Sequence, residues 1–352
     1  MLKKILFITN QQFGSHTDSY KYCEILRFKY DITYLCFDKG LIKSDLDGVR
    51  VEYVSCKGNK TVRGIRFILR AVFKAAFFKG FIFVIYFKRF DYIKRLLPWK
   101  RMHVDIRTLS VNRDKAKREK IDNNIRNAVE LFDSASAISL GVIKKLGSTK
   151  KIYLLPLGAD IISNINKTFD NIRLLYVGTL TNRDIIKTVE GFKKYKDLHP
   201  DVDITYDIVG DGIEYNDIVE YVTKEKLTRL VSCHGWIPHG QLKQYFDHCN
   251  VGVSFVPVTD YYEYQPPTKT YEYAFSGMFT IATGTEVNKE IINTRNGIII
   301  KDTSDDFVKS LDWIWQNRKK LDSALIRNSL ANNSWKLIVE NYLEPILNAC
   351  EN

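Results

Sequence analysis

The segment Pro266-Pro267-Thr268-Lys269-Thr270-Tyr271-Glu272 sets a cation and a carboxylate three positions apart where a helix should begin. It follows the apolar run NVGVSFVP, which reads as a strand. Two prolines cannot continue a strand and pre-set the chain for a helix start, so Thr268 is the expected N-cap and Tyr271 to Phe275 continue helically. A lysine in the first turn opposes the dipole preference for acids there, a local cost that an anion at that end would remove. Glu272, one turn on, is placed to accept hydrogen bonds from two vicinal hydroxyls. Phosphate on Lys269 and the helix N–H groups, with ribose on Glu272, makes a nucleoside-diphosphate site. The same residues also fit an ordinary helix in which Lys269 and Glu272 pair at i, i+3.

Three loops share the phosphate-binding form of a glycine after a strand: TNQQFGSHTDS with Gly14, YVGTLTNR with Gly178, and IVGDG with Gly210. In open α/β sheets, ligands bind beyond the carboxyl ends of strands, where helix N-termini offer unpaired N–H groups. None of the three is a dinucleotide fingerprint or a P-loop, and a lone glycine also serves an ordinary tight turn.

Charge gives a second lead. The formal net charge is +12, and residues Lys57 to Arg101 hold thirteen cations and one acid, Asp91, a net of +12 that leaves the other 307 residues neutral in sum. Phenylalanines and tyrosines interleave with these cations, and Arg63, Arg66, Arg70 and Lys74 recur at helical spacing. This is the composition of an interfacial amphipathic surface for anionic lipid, with those four residues as the membrane contacts. A buried helix and strand with basic polar sides has the same pattern. Nucleic acid is not expected, since no nucleic-acid module accompanies the patch.

The elements that would position these groups alternate along the chain. KILFIT, a helix-period segment from Ser19 to Tyr30 and DITYLCF are followed later by RLLYVG, Ile185 to Leu198, DITYDIVG, Asp217 to Leu227 and LVSCHG. Strand, helix, strand with short joints predicts an α/β fold with parallel sheets. The pattern restarts near residue 172, after the polar stretch IISNINKTFDN, and Asn333 to Ala349 predicts a terminal helix. With 45% hydrophobic and 27% charged residues, the chain can bury a core and is not a disordered polymer. Six scattered cysteines without a Cys-x-x-Cys pair point away from a disulfide scaffold or zinc ribbon and toward a reducing cytoplasm. The N-terminal apolar run is too short for a signal-peptide core, and no uncharged run is long enough to span a bilayer.

The ordered segments LLYVGTLTNRDIIKTVEGF, YDIVGDGIE, VSCHGWIPHGQLKQYFDHCNVGVSFVP and PPTKTYEYAFSGMFTIATGTEVNKEII resemble the nucleotide-binding half of the retaining GT-B glycosyltransferases (glycosyl transferases group 1), which include many bacterial polysaccharide and lipopolysaccharide sugar transferases. The resemblance covers Arg173 to Ile300. It implies two Rossmann-like domains facing a central cleft: an acceptor-binding domain, 1–165, joined by a terminal helix, 334–352, that crosses back to it, and a nucleotide-sugar-binding domain, 166–333. Carried over, Arg183 and Lys269 meet the diphosphate, with Lys187 as a further cation. Glu272 meets the ribose as the second Glu of Glu-x(7)-Glu, and Ile237 offers backbone to the base. Gly178, Gly210 and Thr268 belong to the same site, and Gly14 lets the first-domain loop approach the phosphates.

Two departures from the family pattern stand out. The first Glu of Glu-x(7)-Glu falls on Tyr264, with Glu263 one position off, and Thr179 stands where many relatives carry Arg. In HVDIRTLSV, Asp105 and Arg107 resemble an Asp-x-Arg variant, so Asp105 would orient the acceptor hydroxyl or donor sugar, or else pair with Arg107 at a strand end. Asp201 and Asp203 precede a strand and do not suggest a metal site, and the histidines show no ligand spacing; no metal and no cofactor is expected. The implied function is a retaining glycosyltransferase, cytoplasmic and peripheral on the membrane, moving a sugar from a nucleotide-diphosphate sugar to a lipid-linked or polysaccharide acceptor in cell-surface glycan synthesis. A catalytically inactive GT-B scaffold and a GT-B-fold nucleotide-sugar epimerase are the alternatives.

Overall fold

Aliphatic and aromatic runs become strands because parallel sheets, covered by helices on both faces, demand near-continuous apolar sequence. In the computed structural model, which describes residues 2–349, the run from Ile5 to Ile8 is wholly buried, as is Ile32 to Cys36. The chain divides into two compact units, Met1–Gly158 with Trp335–Asn352, and Ala159–Ser334.

The first unit carries β1 (Lys3–Ile8), β2 (Tyr30–Asp38), β3 (Val49–Ser55), β4 (Phe81–Ile85), β5 (His103–Ile106), β6 (Ser134–Ala137) and β7 (Ile152–Leu154). They form one sheet in the order β3-β2-β1-β4-β5-β6-β7, every pairing parallel. The second unit carries β8 (Ile172–Val177), β9 (Ile204–Val209), β10 (Val231–Gly235), β11 (Val251–Ser254), β12 (Phe279–Thr283) and β13 (Gly297–Ile300), ordered β10-β9-β8-β11-β12-β13 and again parallel throughout. In each sheet the strand order reverses once, between β1 and β4 and between β8 and β11. Crossovers leave in opposite directions at such a point and open a crevice at the carboxyl ends of the two strands. Each unit therefore has one crevice dictated by topology alone.

Three helices of the first unit matter below: α1 (Thr17–Leu26), α2 (Lys60–Phe77) and α3 (Asp91–Leu96). The terminal segment packs on this unit as well. Trp335 is buried and meets Tyr22 edge-on at 6.0 Å, and Glu344 pairs with Lys29 at 2.6 Å. The expected terminal helix is interrupted by a π turn, Val339–Leu343, in which the Glu344 N–H donates to the Val339 carbonyl. Pro345 is the cause, because it has no N–H to give and its ring crowds the preceding turn.

Candidate functional site

The β8/β11 crevice is built by glycines that let two loops touch. Gly210, after β9, has φ +153°, and a Cβ there would lie 1.8 Å from the Gly178 carbonyl oxygen. Gly178, after β8, has φ +148°, and a Cβ there would lie 3.2 Å from Lys269 Nζ. The loop from Gly178 to Ile185 is fixed from below. The Glu214 carboxylate accepts the N–H of Arg183 at 3.1 Å and of Asp184 at 3.0 Å, while Leu180 N–H donates to the Asp211 carbonyl at 2.9 Å. Asn182 and Asp184 adopt φ of +57° and +53° within it, a left-handed conformation that these two residue types tolerate better than most.

The opposite wall is the helix Thr268–Phe275. The Tyr273 hydroxyl accepts the Val177 N–H at 2.8 Å, and the Thr270 hydroxyl meets Ser254 Oγ at 2.6 Å and donates to Asn288 at 3.1 Å. The expected cap is corrected here. Pro267 holds the N-cap position in extended conformation, Thr268 is the first helical residue, and no side chain caps this end. The helix N–H groups therefore face the crevice without a side-chain acceptor.

Lys269 Nζ lies 3.7 Å from the centroid of the buried Tyr176 ring, and the Arg183 guanidinium lies 4.3 Å over the Tyr262 ring. Neither cation has a carboxylate in ion-pair range among the described residues, and Arg183 has a buried guanidinium nitrogen without a hydrogen-bond partner. The i, i+3 pairing of Lys269 with Glu272 does not form. Burial pushes the Lys269 amine well below the ordinary lysine value, Arg183 adds to the depression, and Glu272 opposes it. Glu272 is mostly buried, with its carboxylate 3.7 Å from His239 Nε2. The crevice thus gathers Gly178, Gly210, Arg183, Thr268, Lys269 and Glu272: two cations without acids, a helix start and one carboxylate a turn away.

The other expected residues fall elsewhere. Lys187 is tied to Asp184 at 3.2 Å, and Ile237 packs on the cluster of Leu175, Val209 and Phe246. Gly14 is in the first unit with φ +84°, where a Cβ would lie 2.0 Å from Ser44 Oγ, so packing within that unit already requires glycine. Asp105, at the end of β5, is fully buried. Its Oδ1 accepts from Ser136 Oγ at 2.7 Å, and Ser136 in turn meets His103 Nε2 at 2.8 Å. Arg107 pairs with Asp105 only at the edge of ion-pair range. Its Nε donates to Asp18 at 2.6 Å and its Nη1 to the Leu155 carbonyl at 2.6 Å, leaving Asp105 Oδ2 at 3.7 Å from Nε. Burial, opposed by Arg107, raises the Asp105 carboxyl to about 6. The direct contact with acceptor or donor expected of Asp105 is not available to a side chain without exposed surface; it supports the Asp18–Arg107 pair at the start of α1.

The basic segment is also arranged differently from the expectation. Arg70 and Lys74 both reach Glu52 on β3, and Arg66 donates to the carbonyls of Ser55 and Lys57 at 3.0 and 2.9 Å. Three of the four expected membrane contacts are thus turned toward the sheet. The outward face of α2 is apolar instead, with Val62, Ile65, Leu69, Phe73 and Phe77 all exposed. Among the described residues no helix is long and apolar enough to cross a membrane, and no three His, Cys, Asp or Glu side chains group as a metal site.

Sequence reasoning missed Glu214, Tyr176, Tyr262 and His239. His239 shares the other histidines' lack of ligand spacing, and its place two residues after HGWI, beside the Ile237 position, is the one sequence signal for it.

Residues 160–331 match the model of the family described as glycosyl transferases group 1. Similar solved structures include HepE from Anabaena in complex with UDP and glucose (TM-score 0.73, 12% identity, covering 99% of this chain and 100% of that one). Sucrose-phosphate synthase from Thermosynechococcus elongatus matches with a TM-score of 0.74 at 16% identity over 99% and 98% of the two chains. The lipopolysaccharide outer core galactosyltransferase WaaB in its apo form matches at 0.71 and 14% identity over 98% and 99%. These likenesses are of fold, the GT-B arrangement of two Rossmann-like domains. No curated protein sequence matches the chain.

Proposed function

We propose that this glycosyltransferase, whose residues 160–331 belong to the glycosyl transferases group 1 family, transfers a sugar from a nucleoside-diphosphate sugar with retention of anomeric configuration, to a lipid-linked or polysaccharide acceptor in cell-surface glycan synthesis. The observation that carries the donor reading is the pair of cations, Lys269 and Arg183, set without acids at the β8/β11 crevice beside a helix N-terminus. A diphosphate there replaces the missing counter-charge. Glu272, one turn into the helix, accepts the two ribose hydroxyls.

The chemistry is stabilisation of a leaving group. As the bond from the sugar to the diphosphate oxygen lengthens, negative charge grows on that oxygen, and Lys269, Arg183 and the first N–H groups of the helix Thr268–Phe275 stabilise it. The acceptor hydroxyl attacks the anomeric carbon from the face that the diphosphate leaves, and its proton passes to the departing phosphate oxygen. No protein nucleophile and no metal is called for in this scheme. A basic segment in the first unit with an exposed apolar helix face supports peripheral attachment to a membrane.

The reading is tested by incubating the protein with a panel of nucleotide sugars and following release of nucleoside diphosphate, with the anomeric configuration of the product read by NMR. Retention is expected. Release without transfer to any glycan or lipid acceptor, or conversion of the free nucleotide sugar alone, would assign the fold to a binding scaffold or to an epimerase.

A further inference from the structure

The first sheet has its own topological crevice, at the carboxyl ends of β1 and β4, and a pocket of about 990 Å³ opens there. Its walls come from the residues that follow four neighbouring strands: Asn10 after β1, Lys39 after β2, Cys56 after β3, and Phe87 and Lys88 after β4, closed on one side by α2. The floor is aromatic. Phe67 of α2 packs against Phe37 at 4.5 Å between centroids and edge-on against Phe87 at 5.3 Å.

The rim is cationic. Lys39, Lys60, Arg63, Lys88 and Arg89 line the pocket, no Asp or Glu does, and none of the five is in an ion pair with a described carboxylate. The contrast within the same segment is informative, because Arg70, Lys74, Lys94 and Arg95 are all paired with acids. Four of the nine cations of that segment left without a carboxylate, joined by Lys39, line this one concavity. Arg89 is held there at φ +69°, a conformation costly for a side-chain-bearing residue.

Ile65, Leu69 and Tyr92 line the pocket's mouth and are themselves exposed, and the apolar stripe of α2 continues past them through Phe73 to Phe77, which is 74% exposed. A soluble glycan has no use for a hydrocarbon track, and a nucleotide would find no carboxylate for its ribose here. An amphiphile with an anionic head matches both features at once.

We propose that this pocket binds the phosphate-bearing head of a lipid acceptor, with the hydrocarbon chain leaving along Ile65, Leu69, Phe73 and Phe77 into the bilayer surface. This rests on the glycosyltransferase reading, and it names the acceptor class and the place that holds it. Lys39, Lys60, Arg63, Lys88 and Arg89 neutralise the head, and α2 lies on the membrane by its apolar face.

Calorimetry on the full chain with octyl phosphate, octyl glucoside and inorganic phosphate separates the parts. Octyl phosphate should bind at least about tenfold more tightly than either of the others, and the double variant Arg63→Glu, Lys88→Glu should weaken it by about ten- to hundredfold, the loss expected of charged hydrogen bonds. Leu69→Asp with Phe73→Asp should abolish co-sedimentation with phosphatidate-containing vesicles. Both variants change exposed or half-exposed side chains, and an unaltered thermal shift with nucleoside diphosphate verifies that they fold. Equal affinity for octyl phosphate and octyl glucoside, or a double variant that binds octyl phosphate as wild type does, overturns the proposal. So does tighter binding of a soluble anionic glycan with no response to octyl phosphate. If nucleoside diphosphates bind and octyl phosphate does not, only this inference fails; if neither binds, the donor reading fails with it.

Discussion

Replacing Lys269 with methionine removes the ammonium and keeps an unbranched chain of similar reach over Tyr176. In the free protein the amine is buried near Arg183 without a carboxylate partner, and its pKa is held well below the usual lysine value. A lysine whose folded pKa is depressed costs stability below that pKa, and the cost disappears as pH rises toward the unfolded value near ~10.4. Methionine should therefore stabilise the free protein at neutral pH by on the order of 1 kcal/mol, the direction seen when buried charges give way to apolar groups. For a domain of this size that is a rise in Tm of roughly 2–4 °C. Binding should move the other way. A charge-assisted hydrogen bond to a diphosphate contributes about 1.5–3 kcal/mol, so the affinity for nucleoside diphosphate should fall roughly ten- to hundredfold. Thermal unfolding with and without nucleotide, together with calorimetry, reads both effects. A variant that melts lower than wild type and binds nucleotide equally well would show that Lys269 is a structural residue facing no anion.

Arg183→Ala should depress kcat more than it raises the donor KM, because the charge it faces grows as the sugar leaves; a raised KM with normal kcat removes it from the leaving-group role. Gly210→Ala forces a Cβ to within 1.8 Å of the Gly178 carbonyl at a φ that L-residues avoid, and should cost about 2–3 kcal/mol, visible as a lowered Tm in a variant whose nucleotide binding is also weakened. Asp105, whose carboxyl is raised to about 6, contributes stability that is full below its unfolded pKa near ~3.9 and is lost as pH rises through about 6; Asp105→Asn should flatten that part of the stability profile, and an unchanged slope between those values would place the titration elsewhere.

The parallel sheets were legible because burial on both faces leaves short apolar runs, such as ILFI in β1 and LLYV in β8, repeated between helix-period segments. The helix at 268 was legible from Pro266 and Pro267, but its cap was not. Those prolines also hold the extended conformation of the N-cap position at Pro267, which moves Thr268 inside the helix. The isolation of Lys269 and Arg183 was invisible because the rings beneath them, Tyr176 and Tyr262, come from separate parts of the chain and present faces instead of carboxylates. The carboxylate partner of Arg70 and Lys74 was hidden for a related reason. Charge counting from Lys57 onward omits Glu52, which the β3 register brings under Arg70 and Lys74 and which turns them inward. The apolar stripe opposite, spaced three and four residues apart from Val62 to Phe77, was present in the sequence and looks like any buried helix face.

The central claim is that Glu272 holds a ribose in the β8/β11 crevice, with Lys269 and Arg183 on the diphosphate. Calorimetry with a nucleoside diphosphate and its 2′,3′-dideoxy analogue, on wild type and on Glu272→Ala, isolates that contact. Wild type should prefer the ribose form by roughly ten- to hundredfold, the contribution of hydrogen bonds to a carboxylate, and Glu272→Ala should bind both forms with the same weakened affinity. A folded Glu272→Ala protein that still discriminates between the two as wild type does would contradict the account.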